Sequence, residues 1–377
     1  MKTKSWIGII GLVCFSGYAT MADGGAQHQV KQSLPVKMGT SGGEFNDASS
    51  LYCCAGTLGS LVTYDGKLCI LSNNHVLARS GIAVSGDDTI QPGLIDSNCN
   101  STTPNRIGDF AGNLVPLGSA NVDAALSIAR AGSVDATGSI LDVGIPCSTI
   151  QAAVLNMPVM KSGRTTGFTT GTITSLNTSV SIQYQKGCNS GKKFTVSFTN
   201  QIVTTAMSTG GDSGSLLLSN DGTPNPVGLL FAGSTSTTIY NPIGQVVNAF
   251  TAGGHSFTFV GNACGGLVAD PVAIGPSELN IQNAIRVQLE VEHDLLATPS
   301  IWGVGVGCAE NNDEEAVIVV YMERPAEAKP APAPRAPSAK KSGALKDRVD
   351  APEIQKLPKD FDGVKVRVIY TDPFVAL

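Results

Sequence analysis

Apolar residues fall in short runs along the first two-thirds of the chain, each about the length of a strand and each closed by glycine or a turn residue. Residues 56–62 and 67–72 are two such runs. They meet at Tyr64-Asp65-Gly66, where Asp-Gly predicts a hairpin turn. Further runs lie at Ala83-Val84 with its Asp87-Asp88 turn, at 107–117 and at 121–129. Alternating Thr/Val strands are predicted around 171–176, 180–184 and 194–203, followed by apolar strands at 215–218 and 226–233 joined through Asn220-Asp221-Gly222. At Tyr240-Asn241-Pro242 the period changes, and Ile243, Val246, Val247 and Phe250 predict a helix packed on the sheet. Residues 277–297 carry a broad helical apolar face, and strands follow at 301–307, 316–322 and 364–370. The pattern predicts a β-rich domain over 46–255, a glycine-rich connector over 256–276 and a small α+β domain over 277–377.

The remaining stretches lack such runs. Residues 23–45, with His28, Pro35 and Gly42-Gly43, are polar and read as a flexible lead-in or pro-segment. Residues 325–350 combine Pro and Ala with Lys340, Lys341, Lys346 and Arg348 and read as an exposed loop. Residues 1–22 have Lys2 and Lys4 ahead of an apolar run at 6–18, the pattern of a secretory signal peptide. That run is too short for a comfortable bilayer span, so stable membrane insertion is not expected.

Composition narrows the class further. Hydrophobic residues at 42% against 15% charged allow a buried core, and a net charge of −5 without basic patches argues against nucleic acid as a partner. Of nine cysteines, eight lie beyond the leader. An even number in an exported chain predicts disulfides in a secreted or periplasmic setting, with about 105 pairings open. The four histidines are scattered and no cysteine pairs have zinc spacing, so neither metal nor cofactor is expected.

Candidate chemistry centres on Gly210-Gly211-Asp212-Ser213-Gly214-Ser215. Glycines around a serine make a tight turn that presents Ser213 Oγ and aims the amides of Gly211 and Ser213 at one point, as an oxyanion hole requires. Glycine, aspartate and serine are also ordinary turn residues, so the serine needs partners. His75 closes the apolar strand at 67–72, and Asp123 opens the strand at 121–129. A carboxylate at the start of an apolar strand is costly to bury unless paired, and a histidine would satisfy it. His75, Asp123 and Ser213 follow one another at separations of 48 and then 90 residues.

On these motifs, together with Leu71-Ser72-Asn73-Asn74-His75-Val76-Leu77-Ala78 and Lys161-Ser162-Gly163-Arg164-Thr165-Thr166-Gly167, residues 46–255 resemble the trypsin-like (chymotrypsin-fold) serine peptidases. The likeness is greatest to a bacterial branch related to plant narrow-leaf-type peptidases. The resemblance implies an all-β double β-barrel (chymotrypsin-like) peptidase domain, here followed by a small α+β C-terminal domain. It implies His75 as general base, Asp123 as its orienting carboxylate and Ser213 as nucleophile. It makes Asp212 a buried structural counterion of the turn, in many such enzymes paired with a released amino terminus.

The same resemblance places Met207 at the base of the primary specificity pocket and Gly233 in its open wall. Methionine there argues against Lys or Arg and for a medium or large uncharged side chain. Val76 stands where many animal members carry a cysteine, which leaves Cys54 with Cys69, and Cys53 with Cys99, as the pairings to expect. The expected function is a secreted serine endopeptidase acting on protein or peptide substrates without a cofactor. A catalytically silent binding protein and an esterase-like hydrolase are the alternatives. The C-terminal domain, with its Gly-Val-Gly-Val-Gly and Asp-Gly-Val motifs, has three roles open to it: folding aid, substrate-docking module, or surface for self-association.

Overall fold

The structure is a computed structural model that describes residues 25–188, 190–264, 275–324 and 357–377. The expected signal peptide and the whole of the 325–350 loop lie outside the described residues. Among the described residues, no helix is long and apolar enough to cross a membrane.

Two antiparallel curled sheets stand where the resemblance implies two barrels. The first is built from β1 (Thr40–Glu44), β2 (Gly56–Leu58), β3 (Ser60–Tyr64), β4 (Lys67–Ser72), β5 (Asp88–Gln91), β6 (Asn105–Leu114) and β7 (Ala125–Ala129). The second is built from β8 (Pro158–Gly163), β9 (Gly167–Gln185), β10 (Lys193–Thr205), β11 (Leu216–Ser219), β12 (Pro226–Gly233) and β13 (Thr237–Pro242). The hairpin at Asp65-Gly66 forms as its sequence requires, with both residues at positive φ (45° and 76°). Helix α3 (Ile243–Thr251) begins after Pro242 and lays Ile243, Val246 and Phe250 on the core of the first sheet, beside Leu61, Ile70 and Leu126. The short β14 (Phe257–Phe259) then closes that sheet against β3.

The described part of the segment expected to be a flexible lead-in, residues 25–45, is built into the fold. It holds a short helix α1 (Ala26–Gln29), and its strand β1 lies between β2 and β5. Buried His28 ties it down, with Nδ1 2.7 Å from the Gly39 carbonyl and Nε2 2.8 Å from Asp142. Its polar composition is misleading because backbone pairing with two neighbours, rather than apolar side chains, holds the strand in place. This strand also provides Glu44, a buried carboxyl that burial pushes up to about 7 despite hydrogen bonds from Asn46 and the nearby Arg79.

The C-terminal elements appear where their periodicity puts them: helix α4 (Glu278–Leu296), then β15 (Ile301–Ala309), β16 (Asn312–Glu323), β17 (Asp360–Phe361) and β18 (Val364–Thr371). Their strands do not form a separate sheet. Strand β15 pairs antiparallel with β9, so the second sheet continues through β15, β16 and β18. The Gly-Val-Gly-Val-Gly motif makes this join. Val304 and Val306 face α4, among Ala284, Val287, Ile318 and Val320. The glycines face the other way, where a Cβ on Gly305 would lie 2.4 Å from Thr178 Oγ1 and one on Gly307 would lie 2.6 Å from the Thr174 carbonyl. The last strand, β19 (Val375–Ala376), runs back between β12 and β9.

Three disulfides join distant parts of the chain: Cys53–Cys99, Cys54–Cys188 and Cys147–Cys264. The expected Cys53–Cys99 bridge is present, and the expected Cys54–Cys69 bridge is not. Cys69 is free and points into the core of the first sheet, where burial pushes its thiol up to about 11. Cys54 lies before β2 and reaches across to the end of β9 instead. Sequence separation hid this pairing, because 134 residues lie between the two cysteines.

Candidate active site

His75 sits in a one-turn helix, α2 (Asn74–Leu77), which follows directly from β4. The buried strand and turn fix its backbone, and Asn73 Nδ2 donates to the Asp123 carbonyl (2.7 Å), fastening this turn to the start of the 121–129 segment. Asp123 is fully buried. Its carboxylate accepts from His75 Nδ1 at 2.6 Å, from the His75 backbone N–H at 3.2 Å and from the Tyr184 hydroxyl at 2.8 Å. Its own N–H donates to Asn241 Oδ1 (2.9 Å). Three donors thus hold a carboxylate that would be prohibitive to bury alone.

Tyr184 comes from β9, in the second sheet, and has no sequence signal to mark it, because an alternating strand places many similar residues. Burial first, and then the Asp123 charge, raise its pKa well above the ordinary tyrosine value of 10.0. It therefore keeps its proton and remains a donor.

The serine turn is held from both sheets. Thr57 on β2 donates its N–H to the Ser213 carbonyl (2.7 Å) and its hydroxyl to the Gly211 carbonyl (3.0 Å). Gly214 has φ +95°, and a Cβ there would lie 2.1 Å from Ser72 Oγ and 2.3 Å from the Thr57 carbonyl. Only glycine fits this close approach of the two sheets. Gly211 also has positive φ (97°).

Asp212 is fully buried beneath the turn. It accepts from the Thr165 N–H (2.9 Å), the Thr166 N–H (3.1 Å), the Thr166 hydroxyl (2.8 Å) and the Thr209 N–H (3.0 Å). Its counter-charge is the buried Lys161, with Nζ 3.5 Å from Oδ2. Lys161 also bonds Thr166 and the Gly167 carbonyl. Burial lowers the lysine pKa, and the Asp212 charge opposes that shift. An internal cation therefore fills the place that the resemblance gives to a released amino terminus. The Lys161-Ser162-Gly163-Arg164-Thr165-Thr166-Gly167 segment is the cradle of Asp212, and Arg164 anchors its far side through Nε and Nη2 on Asp96, both at 2.6 Å.

Leu377 bonds the histidine and shares an acceptor with the serine. Its carbonyl oxygen is 3.3 Å from His75 Nε2, and its N–H donates to the Phe231 carbonyl (3.3 Å), the same oxygen that accepts from Ser213 Oγ (3.3 Å). Neither side-chain bond joins Ser213 to His75 in this arrangement. Beside it opens a cleft of about 430 Å³ whose walls include His75, Tyr184, Gly211, Asp47 and the Cys54–Cys188 bridge. The carboxyl of Asp47 is pushed up to about 6 by burial, against the pull of Arg79 and His75. Met207 belongs to the buried apolar cluster on which Leu377 packs. Gly233 is next to the same leucine, since a Cβ on it would lie 3.1 Å from Leu377 Cδ1. Leu377 thus lies beside Gly233 and against the cluster that holds Met207.

No protein-family model matches the chain. No curated protein matches it either. Among solved structures, it is similar to a glutamic-acid-specific serine protease (20% identity, 59% of this chain and 100% of that one, TM-score 0.41). It is also similar to the chymotrypsin of Cellulomonas bogoriensis (21% identity, 60% and 99%, TM-score 0.38) and to protease A of Thermobifida fusca (20% identity, 56% and 95%, TM-score 0.37). The likeness is one of overall fold and assigns no residue a role.

The site's own protonation follows from its bonds. Nδ1 of His75 faces a carboxylate and Nε2 faces a carbonyl oxygen, so both nitrogens face acceptors and the arrangement favours the doubly protonated ring. Burial works to lower the His75 pKa, but the charge and hydrogen bond of Asp123, joined by the Leu377 carbonyl and Asp47, outweigh it, and the pKa is raised above 6.5. With His75 as the expected base, which must be neutral to take a proton, any reaction of Ser213 is expected to be lost as pH falls through that raised value. The rate of fluorophosphonate reaction between pH 5 and 9 is expected to rise with a midpoint above 6.5. A midpoint at or below it contradicts the pairing.

Proposed function

We propose that the protein is a serine endopeptidase that hydrolyses peptide bonds through an acyl-enzyme on Ser213. The observation that carries the proposal is the buried Asp123 carboxylate committed to His75 Nδ1, which leaves Nε2 directed at the carbonyl oxygen of a peptide strand whose last N–H shares the Phe231 carbonyl with Ser213 Oγ. When Ser213 Oγ turns from Phe231 to the imidazole, Nε2 takes its proton as Oγ adds to the scissile carbonyl. The amides of Gly211 and Ser213 hold the resulting oxyanion, each donor contributing about 10²- to 10³-fold in rate. His75 then gives the proton to the departing amine. Water, deprotonated in turn by His75, releases the acyl group and restores Ser213.

Three disulfides and the leader-like residues 1–22 support export to an oxidising compartment, secreted or periplasmic. No step of this chemistry calls for a metal or cofactor. Among the described residues, the one group of three ligand-type residues found close together, Asp47 with Cys54 and Cys188, has both sulfurs joined in a disulfide.

The test is covalent labelling by a fluorophosphonate probe during long incubation. Wild type is expected to label on Ser213, and Ser213→Ala and His75→Ala are expected not to. Equal labelling of wild type and Ser213→Ala overturns the nucleophile.

A further inference from the structure

Residues 372–377 are packed into the fold rather than lying loosely on the surface. Thr371 donates its hydroxyl to Ser234 Oγ (2.7 Å), Thr235 donates to the Asp372 carboxylate (2.7 Å), and Phe374 is fully buried with its ring edge-on to Tyr321. From this anchor the chain enters the site in extended form. The Phe374 carbonyl accepts from the Gln183 N–H (3.0 Å), Val375 lies opposite Gly233, and Ala376 lies opposite Ala232. Leu377 completes the strand, with its N–H on Phe231, its carbonyl on His75 and its side chain in the apolar cluster that includes Met207, Ile173, Leu217 and Leu230.

Each part of this contact has a chemical meaning. Pairing along the edge of β12 uses backbone groups that any peptide offers, so it supplies affinity without regard to sequence. The side chain that enters the pocket supplies the selectivity. The carbonyl that sits on His75, on the residue whose N–H shares the Phe231 acceptor with Ser213, stands for the bond to be attacked. Val375, Ala376 and Leu377 therefore stand as the acyl half of a substrate would, with Leu377 as the residue before the scissile bond.

We propose that residues 372–377 are a built-in occupant of the substrate cleft, which holds the site shut in cis and shows that it takes extended peptides cleaved after a leucine-like aliphatic residue. This deepens the peptidase reading and rests on it. Because Thr371 and Phe374 tether the strand, its effective concentration at the cleft is of the order of millimolar or above, so free substrate competes poorly until the strand leaves. Burying a lysine or glutamate against the same walls is costly, since an ionised group loses its water there.

The experiment uses the full chain, with the labelling rate of Ser213 as the first readout. Leu377→Lys is expected to label at least about tenfold faster than wild type, and Leu377→Met to stay within about threefold of it. Added acetyl-Phe-Val-Ala-Leu is expected to slow labelling of the Leu377→Lys protein, and acetyl-Phe-Val-Ala-Lys is not. That same protein is expected to hydrolyse a Val-Ala-Leu anilide at least about tenfold faster than a Val-Ala-Lys anilide. Equal labelling rates in wild type and Leu377→Lys overturn the occupant. Faster labelling together with preferred cleavage after Lys or Glu overturns the assigned substrate class. Absence of Ser213 labelling in every variant defeats the peptidase reading, a result separable from both.

Discussion

Asp123→Asn is expected to lower kcat/KM on a peptide anilide by about 10⁴-fold while leaving the fold in place. The carboxylate receives three donors, from His75 Nδ1, the His75 N–H and the Tyr184 hydroxyl, and it gives none. An amide of the same size keeps one acceptor and places an NH₂ among those donors. If that NH₂ turns to the imidazole, Nδ1 must accept, the proton moves to Nε2, and Ser213 loses its base. If it turns the other way, it meets the His75 N–H, since the Tyr184 hydroxyl shares the oxygen that faces the imidazole. The site is buried, so water cannot repair the mismatch. The thermal midpoint should move little, because volume and backbone contacts are unchanged. A loss of less than about tenfold would mean that Asp123 does not set the tautomer.

Lys161→Met is expected to reduce stability to denaturant by about 3 kcal/mol, the lower part of the range for breaking a buried ion pair. Asp212 would stay in the interior without its cation, supported only by the donors of Thr165, Thr166 and Thr209. Those four hydrogen bonds are the reason to expect the lower figure. The double variant Lys161→Met with Asp212→Asn should recover most of the loss, since neither charge then remains buried. Labelling of Ser213 should slow in the single variant as well, because Asp212 holds the turn that aims the Gly211 and Ser213 amides. A change below about 1 kcal/mol in the single variant would show that the hydrogen bonds alone satisfy Asp212.

Both expectations concern residues that differ in how plainly the sequence marks them. Asp123 and His75 stand at the ends of apolar strands, where a polar group is conspicuous, and the glycines around Ser213 mark a tight turn. Tyr184 and Thr57 carry no such mark. Each lies in an ordinary strand pattern, and its role arises from the approach of one sheet to the other. Lys161 is visible in sequence as a charge, but its burial opposite Asp212 is a property of the packed barrel.

The lead-in and the tail illustrate the same limit. Residues 25–44 look flexible because they are polar, yet β1 is held by backbone bonds to β2 and β5, and backbone groups are the same in every sequence. The pairing of Cys54 with Cys188 is equally silent, since covalent geometry depends on where two loops end in space.

The sequence by itself determined most of the strands and the two longer helices, α3 and α4, through apolar periodicity and turn residues, and the chemical identity of the serine, histidine and aspartate. Local interactions are encoded over a few residues, and for that reason they can be read there. Only the tertiary structure decided which polar groups come together: Tyr184 with Asp123, Lys161 with Asp212, and Leu377 with His75. The last pair lies 302 residues apart, and their meeting depends on a sheet that extends from β9 through β15 and β16 to β18 before the chain returns to the cleft. A contact of that range has no local signature, because the free energy that forms it is spread over every strand between.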